Sequence, residues 1–154
     1  MASNFVTAVK IEGGDRLLKE LQALGGNVKS TARTAIRNGI KVMQVQAEDN
    51  ARPLGRRGKH TRIGMKATAG GDITARLGPS KRFWYYKFLE TGTQPHEEPH
   101  SRIWRHHPGM AAQPWLRPAF DAKQMPAATE VGATFRRAIE ERRAIIEAGE
   151  EEEE

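Results

Sequence analysis

Apolar and polar positions follow two different periods at the start of the chain. Residues 5–12 are rich in β-branched side chains that partly alternate with polar ones, which predicts a short strand before Gly13. Beyond it, leucines recur on one side of a helical turn, at Leu17, Leu18, Leu21 and Leu24. Asp15 can cap this helix and Gly25-Gly26 can end it, so the pattern predicts an amphipathic helix of about three turns.

A longer helix is predicted next, beginning near Asn27 or Ser30. Its apolar residues recur at spacings of three and four, at Val28, Ala32, Ile36, Ile40 and Met43. The same stripe contains the small residues Ala35, Gly39 and Ala47, which would let another helix or strand approach closely. The helix should end by Pro53, because a proline pushes the preceding residue out of helical geometry.

Three basic residues, Arg33, Arg37 and Lys41, lie four apart on a neighbouring face of this helix. Such repeats are most often a solvated flank. The alternative is a positive stripe that faces DNA or an acidic neighbour. The sequence leaves both interpretations open.

The middle of the chain predicts two paired strands. Met65 to Gly78 contains strand-forming residues around a break at residues 70–72, where a hairpin turn is expected. Ile73, Ala75 and Leu77 alternate on one face of the second strand. The segment Gly78-Pro79-Ser80 then turns the chain away from the sheet. Two strands alone are marginally stable, so helices are expected to cover one face.

An aromatic block follows at residues 83–90, with apolar side chains at nearly every position. It fits either a short helix or a buried strand. One or two helical turns ending near Glu90 are favoured, because Gly92 can take the positive φ that closes a helix. All three tryptophans and both tyrosines lie between Trp84 and Phe120, so most of the large apolar area for a core or an interface is expected there.

A long C-terminal helix is predicted after Pro114, a residue type that suits the first helical position. Pro118 is close enough to the start for its missing N–H to cost little. The apolar stripe comprises Ala119, Phe120, Met125, Ala128, Val131, Phe135, Ala138, Ile139, Ile145 and Ile146. Pro126 should kink the helix or divide it into residues 114–124 and 126–147.

Length and composition narrow the class of protein. The 154 residues suffice for one domain with a modest core, expected over residues 1–149. The sequence has no run of 18 apolar residues and no basic-then-apolar leader, so we expect a protein made in the cytoplasm, without membrane contact. It has no cysteine, which excludes disulfides and thiolate metal sites.

The charge is unevenly distributed. The net charge is +6, but the last five residues are all glutamate. Without them, 25 basic residues face 14 acidic ones, a balance of +11. Such a field favours contact with nucleic acid or with an acidic protein surface. The tail, residues 150–154, is expected to stay solvated and disordered through self-repulsion, although it could instead shield a basic surface until assembly.

Six basic residues follow the second predicted helix with no acid among them, namely Arg52, Arg56, Arg57, Lys59, Arg62 and Lys66. Three glycines punctuate this segment, which predicts a flexible basic loop over residues 52–66. Such a loop can contact phosphates without reading bases. A mobile loop that only adds charge is the equal alternative.

Four histidines lie in a polar arm, residues 94–112, at His96, His100, His106 and His107. With the adjacent glutamates they invite a metal or general-base interpretation. Pro99 prevents the first two from forming a two-ligand helical turn, and no second cluster completes a tetrahedral site. We therefore expect no metal and no other cofactor. The arm is predicted to be extended, with Trp104 as an anchor and a candidate interface residue.

The sequence offers little support for catalysis. It contains no nucleophile elbow, no phosphate-binding glycine-lysine loop and no spaced carboxylate pair. Glu90 is the one carboxylate inside an apolar motif. We interpret it as a hydrogen-bond acceptor at a helix end or turn, paired with Arg117, rather than as a catalytic group.

Two motifs frame the polar arm. The first comprises Tyr85, Tyr86, Leu89, Glu90, Gly92 and Thr93. The second follows about twenty residues later and comprises Pro114, Trp115, Leu116, Arg117 and Pro118. Together they resemble the signature of phage tail-completion proteins, the head–tail joining or neck proteins of long-tailed phages and related prophages. In that family an aromatic-x-x-aliphatic-Glu-x-Gly-Thr turn precedes a Pro-aromatic-Leu-Arg-Pro-Ala segment that starts the last long helix.

The resemblance implies an α+β fold, in which a small antiparallel sheet packs with two N-terminal helices and a long C-terminal helix. It also implies a non-enzymatic virion protein that forms a homo-oligomeric ring, of six copies because such tails are six-fold. The expected partners are the neighbouring neck connector, the tail tube protein and, without sequence preference, phage DNA. In such a ring the six basic residues of the loop are expected to face either the DNA channel or the connector.

Two other classes of function compete with this one. The first is a small basic nucleic-acid-binding module outside a virion, which is supported only by the charge. A metal-dependent nuclease would use the histidine arm and would lose activity on His100→Ala.

Overall fold

The computed structural model describes residues 14–55, 59–67, 73–97 and 106–151. Its α-helices are α1 (Gly14–Ala23), α2 (Val28–Ala51), α3 (Tyr86–Thr91) and α4 (Leu116–Glu151). Its strands are β1 (Thr61–Ala67), β2 (Ile73–Pro79), β3 (His96–Glu97) and β4 (His106–His107). Short 3-10 helices span Arg52–Leu54 and Lys81–Phe83. This mixture of helices and a small antiparallel sheet confirms the α+β prediction. The strand expected at residues 5–12 lies outside the described residues.

The two N-terminal helices begin and end close to the predicted residues, but α1 begins at Gly14, so Asp15 lies within its first turn and is not its N-cap. Gly25 has a φ of 67° and follows α1, as a helix-ending glycine does. The Asn27 side chain accepts a hydrogen bond from the backbone N–H of Ser30 at 3.0 Å, so Asn27 is the N-cap of α2. That helix ends at Ala51, two residues before Pro53.

Contacts within the chain divide its described residues into two compact units. The first unit contains the described residues up to Met43, those from Ile63 to Arg76 and those from Lys123 onward. Its core contains Leu21, Ala35, Val131, Phe135 and Ile139. A Cβ added at Gly39 would lie 2.6 Å from a methyl carbon of Val131, so the backbones of α2 and α4 approach closely there. This confirms the role predicted for the small residues of α2.

The second unit draws on Gln44–Arg62 and Leu77–Ala122. Its core contains Ala47, Ala51, Phe83, Tyr86, Trp115 and Ala119. The aromatic block forms a 3-10 turn and α3, which ends at Thr91, so the preference for a short helix over a strand is confirmed. Its buried rings line the core while others stay exposed.

The strands β1 and β2 pair in a two-stranded sheet. Ile73, Ala75 and Leu77 are half-buried while the residues between them are exposed, as predicted. The sheet is longer than expected, because β1 begins at Thr61 and β2 continues through Pro79. The prediction of one flexible loop over residues 52–66 is therefore wrong at both described ends, which form a 3-10 turn and a strand.

The C-terminal helix α4 is continuous from Leu116 to Glu151 and contains Pro126. The predicted division at this proline is wrong. Pro126 is exposed, so its ring meets solvent, and the helix is held on both sides of it by Ala119 in one core and Val131 in the other. Burial of these flanks outweighs the loss of one backbone hydrogen bond. The helix also includes the first two glutamates of the acidic tail.

Candidate functional site

The two halves of the motif meet at the carboxylate of Glu90. One of its oxygens accepts hydrogen bonds from the backbone N–H groups of Trp115 at 2.7 Å and Leu116 at 2.8 Å. The other accepts from the N–H of Arg117 at 2.9 Å. The backbone N–H groups in the first turn of a helix have no intrahelical partners. Pro118 adds no further unpaired donor, because proline has no backbone N–H. Glu90 therefore caps the whole start of α4.

This geometry confirms that Glu90 is a hydrogen-bond acceptor at a helix end. The predicted pairing with the Arg117 side chain is wrong. Glu90 binds the backbone of Arg117, and within the described residues it makes no ion pair with the guanidinium. The helix begins at Leu116 rather than at Pro114. A carboxylate near a helix N-terminus is also stabilised by the helix dipole.

Trp115 is the largest side chain buried in this unit. Its indole N–H donates to the backbone oxygen of Tyr86 at 3.1 Å, and the two rings pack edge to face at 5.8 Å. The backbone oxygen of Trp115 accepts from the side-chain amide of Asn50 at 2.9 Å, which ties α2 to the same point. The backbone N–H of Gln113 donates a hydrogen bond to the backbone oxygen of Leu89 at 2.7 Å. The motif residues thus hold α3 against the start of α4.

Gly92 and Thr93 turn the chain after α3. Gly92 has a φ of 69°, and a Cβ there would lie 2.7 Å from the backbone oxygen of Met110. Thr93 and Met110 exchange two backbone hydrogen bonds of 2.9 Å. Only glycine satisfies both the positive φ and the close backbone approach.

A second carboxylate, Glu48 of α2, organises the start of β1. It accepts from the backbone N–H groups of His60 at 2.9 Å and Thr61 at 2.6 Å, from the His60 ring at 3.0 Å, and from the Thr61 hydroxyl. Gln44 donates to the same hydroxyl at 2.9 Å. Burial raises the pKa of Glu48, but the hydrogen bonds from Thr61 and His60 together lower it below its ordinary value.

This network was not predicted from the sequence. Its only sequence signal is an acid beside the apolar stripe of α2, twelve residues before a histidine, and that pattern is too common to be informative. His60 is buried, with its ring 4.5 Å from Phe83 and 5.1 Å from Tyr86. Burial, together with the nearby charges of Tyr85 and Glu48, raises the pKa of the Tyr86 hydroxyl.

The aromatic block leaves three rings on the surface, and we call Trp84, Tyr85 and Phe88 the aromatic patch. Their exposed fractions are 58%, 37% and 37%. Trp84 packs edge to face on Tyr85 at 6.2 Å and on Phe88 at 5.9 Å. The ammonium group of Lys87 lies over the Phe88 ring at 4.7 Å. The tyrosine pair of the motif is therefore divided, with Tyr86 in the core and Tyr85 in the patch.

The predicted DNA-contact residues do not form one described loop. Arg52 is paired with Asp49 at 3.0 Å, Lys59 is exposed, and Arg62 and Lys66 are exposed on β1. Arg56 and Arg57 lie outside the described residues. An open groove of about 420 Å³ is lined by Gln44, Val45, Glu48, Asp49, Arg52 and Lys59. Both of its carboxylates are already engaged, by the backbone of β1 and by Arg52.

A more regular basic surface lies on α2. Four exposed cations follow one another at spacings of four residues, namely Lys29, Arg33, Arg37 and Lys41, and we call them the cationic row. Within the described residues none of them forms an ion pair. Like charges four residues apart destabilise a helix slightly, so the row is not explained by helix stability.

The described ends of the histidine arm pair with each other. His96 stacks on His107 at 5.0 Å, and His106 pairs with Glu97 at 2.8 Å in the antiparallel β3–β4 ladder. Across the parts of the chain that the structure describes, no group of three histidine or acidic side chains is placed to hold a metal ion. His100 and Trp104 lie outside those parts.

Comparisons with known proteins add no assignment: no family model, no curated protein and no solved structure matches this chain. Among the described residues, no helix is both long and apolar enough to cross a membrane.

Proposed function

We propose that this chain is a structural, non-enzymatic subunit of a phage neck. In this proposal several copies form a ring, expected to be hexameric, that joins or completes the tail at the head–tail interface and lets DNA pass. The ring assembles in the host cytoplasm and remains in the virion, in contact with the neck connector and the tail tube.

The observation that carries the proposal is the structural role of the two motifs, which cap and pack the start of α4. The carboxylate of Glu90 is fully occupied by the first turn of α4, and the Trp115 ring is buried on Tyr86. These residues build the subunit, which is the role that the resemblance implies for them. Groups committed to backbone capping and to packing are poorly suited to turning over a substrate.

The exposed surface of the second unit also supports assembly. Trp84, Tyr85 and Phe88 form a contiguous group of rings in contact with solvent. Large aromatic side chains are enriched in interfaces between proteins, and contiguous exposed apolar surface marks such interfaces. The cationic row of α2 supports a weak, sequence-independent contact with DNA, because such contacts depend on phosphate charge.

The test is the size of the purified chain, alone and with the tail tube protein, measured by mass photometry. Discrete rings, or co-assembly with tail tubes, are the expected result. A chain that stays monomeric in both conditions contradicts the proposal. If that monomer also shifts DNA in a salt-sensitive manner, the competing function of a small nucleic-acid-binding module replaces it.

A further inference from the structure

The last part of α4 is unusual because it is exposed on every side. From Arg143 to Gly149 all residues are exposed, including Ile145 at 60% and Ile146 at 39%. A helical segment this exposed gains little stability from packing within its own subunit. Two isoleucines on such a segment point to a partner that covers them.

The overlapping stretch from Glu140 to Glu147 is acidic in its effect, although it contains two arginines. Arg142 donates to the backbone oxygen of Gly25 at 3.1 Å, and Arg143 pairs with Glu20, so both guanidinium groups are engaged within the first unit. The exposed glutamates Glu140, Glu141 and Glu147 form no ion pair within the described residues. We call Glu140 to Glu147 the acidic end of α4.

The aromatic patch has the opposite charge. Lys81, Arg82 and Lys87 flank its rings, and all three are exposed. None of them forms an ion pair in the part of the chain that the structure describes, and no acid occurs between Lys81 and Lys87 in the sequence. The chain therefore carries two exposed apolar surfaces, one rimmed by cations and the other by carboxylates.

We propose that the acidic end of α4 of one copy docks on the aromatic patch of the next copy. Isoleucine side chains would cover the rings of Trp84 and Phe88, and the glutamates would face Lys81, Arg82 and Lys87. Complementary charge of this kind fixes the partner and its orientation. Because the two surfaces differ, the contact is head-to-tail, and repeated head-to-tail contacts form a ring when the rotation between copies closes. The inference rests on the proposed function and names the contact that forms its ring.

Charge reversal in the full-length chain tests this contact. The first variant, K81E/R82E/K87E, places acids around the patch, and the second, E140K/E141K/E147K, places cations on α4. Each creates like-charge contacts, so we expect each to weaken self-association at least about tenfold. The two variants mixed together, or both sets of reversals in one chain, should restore assembly to within about threefold of the original chain.

A matched control reverses three other exposed cations, K29E/R33E/R37E, which should leave self-association unchanged. Circular dichroism establishes that each variant is folded. If the original chain forms rings that neither reversal weakens, the docking inference is wrong while the neck proposal stands. Failure of the combined reversals to restore assembly contradicts the docking in the same way. A dimer that dissociates on reversal would support the docking and contradict the ring. A chain that never associates overturns both.

Discussion

The carboxylate of Glu90 binds the backbone N–H of Trp115 at 2.7 Å, although 25 residues separate them in the sequence. Through this contact the end of α3 determines where α4 begins. The same carboxylate also accepts hydrogen bonds from the backbone N–H groups of Leu116 and Arg117. The next residue, Pro118, has no backbone N–H that would need a partner. One side chain thus satisfies a helix terminus that normally needs several partners.

Removal of this cap should destabilise the protein measurably. We expect Glu90→Ala to lower the free energy of unfolding by about 2–3 kcal/mol, because it leaves three backbone donors without their charged acceptor. Glu90→Gln should cost less, since its amide oxygen can still accept. Urea unfolding at neutral pH measures both. Glu97→Ala is the control, because its exposed pair with His106 is worth less than about 1 kcal/mol. Equal stability of the Glu90→Ala variant and the original chain would show that the cap is dispensable.

Helix positions could be predicted from the sequence because they depend on local signals. The apolar spacing and the Asn27 cap predicted the beginning and end of α2 closely, and Gly92 predicted the end of α3. The capping role of Glu90 was also predictable, since an acid in an apolar motif needs a donor. Its actual partner was not, because the sequence does not show which backbone groups α4 presents after a long intervening arm.

Two features of the fold differ from the sequence-based expectation for a shared physical reason. The network of Glu48 with His60 and Thr61 requires β1 to start beside α2, and the basic composition before it predicted a loop instead. At Pro126 a local rule predicted a kink or a division, and α4 is undivided, with buried residues on both sides of the proline. In both cases contacts between residues far apart in sequence outweigh local preference.

The turn after α3 should not tolerate a side chain. Gly92→Ala would force a Cβ to within 2.7 Å of the Met110 backbone at a φ of 69°, so we expect a loss of about 2–4 kcal/mol in stability. Gly78→Ala is the matched control, because a Cβ at Gly78 would meet no atom within 4 Å. Thermal unfolding of both variants checks this. A Gly92→Ala protein as stable as the control would mean that the turn relaxes freely.

Acid should weaken the protein partly through Glu48. Because hydrogen bonds lower its pKa in the folded state, the ionised carboxylate stabilises the fold above the ordinary value of 4.5, and this contribution is lost as the pH falls through the folded-state pKa. We expect Glu48→Gln to cost about 1–3 kcal/mol at pH 7, where the carboxylate is ionised. The difference in stability between the two proteins should shrink between pH 5 and pH 3. Urea unfolding across that range measures it, and a difference independent of pH would refute the assignment.

The cationic row of α2 should account for a defined share of any DNA binding. Its four cations span about 18 Å of helix, which is long enough to meet several phosphates. Neutralisation of the row, K29Q/R33Q/R37Q/K41Q, should weaken binding to a labelled DNA duplex. It should also reduce the slope of log affinity against log salt concentration by about 2 to 4, since each phosphate contact contributes about 0.9 to that slope. The matched control neutralises four exposed cations elsewhere in the first unit, R16Q/K19Q/R76Q/R136Q. Fluorescence anisotropy at several salt concentrations separates the two outcomes. An equal effect of both variants would assign the binding to net charge rather than to the row, whereas a selective effect would identify α2 as the surface that meets DNA.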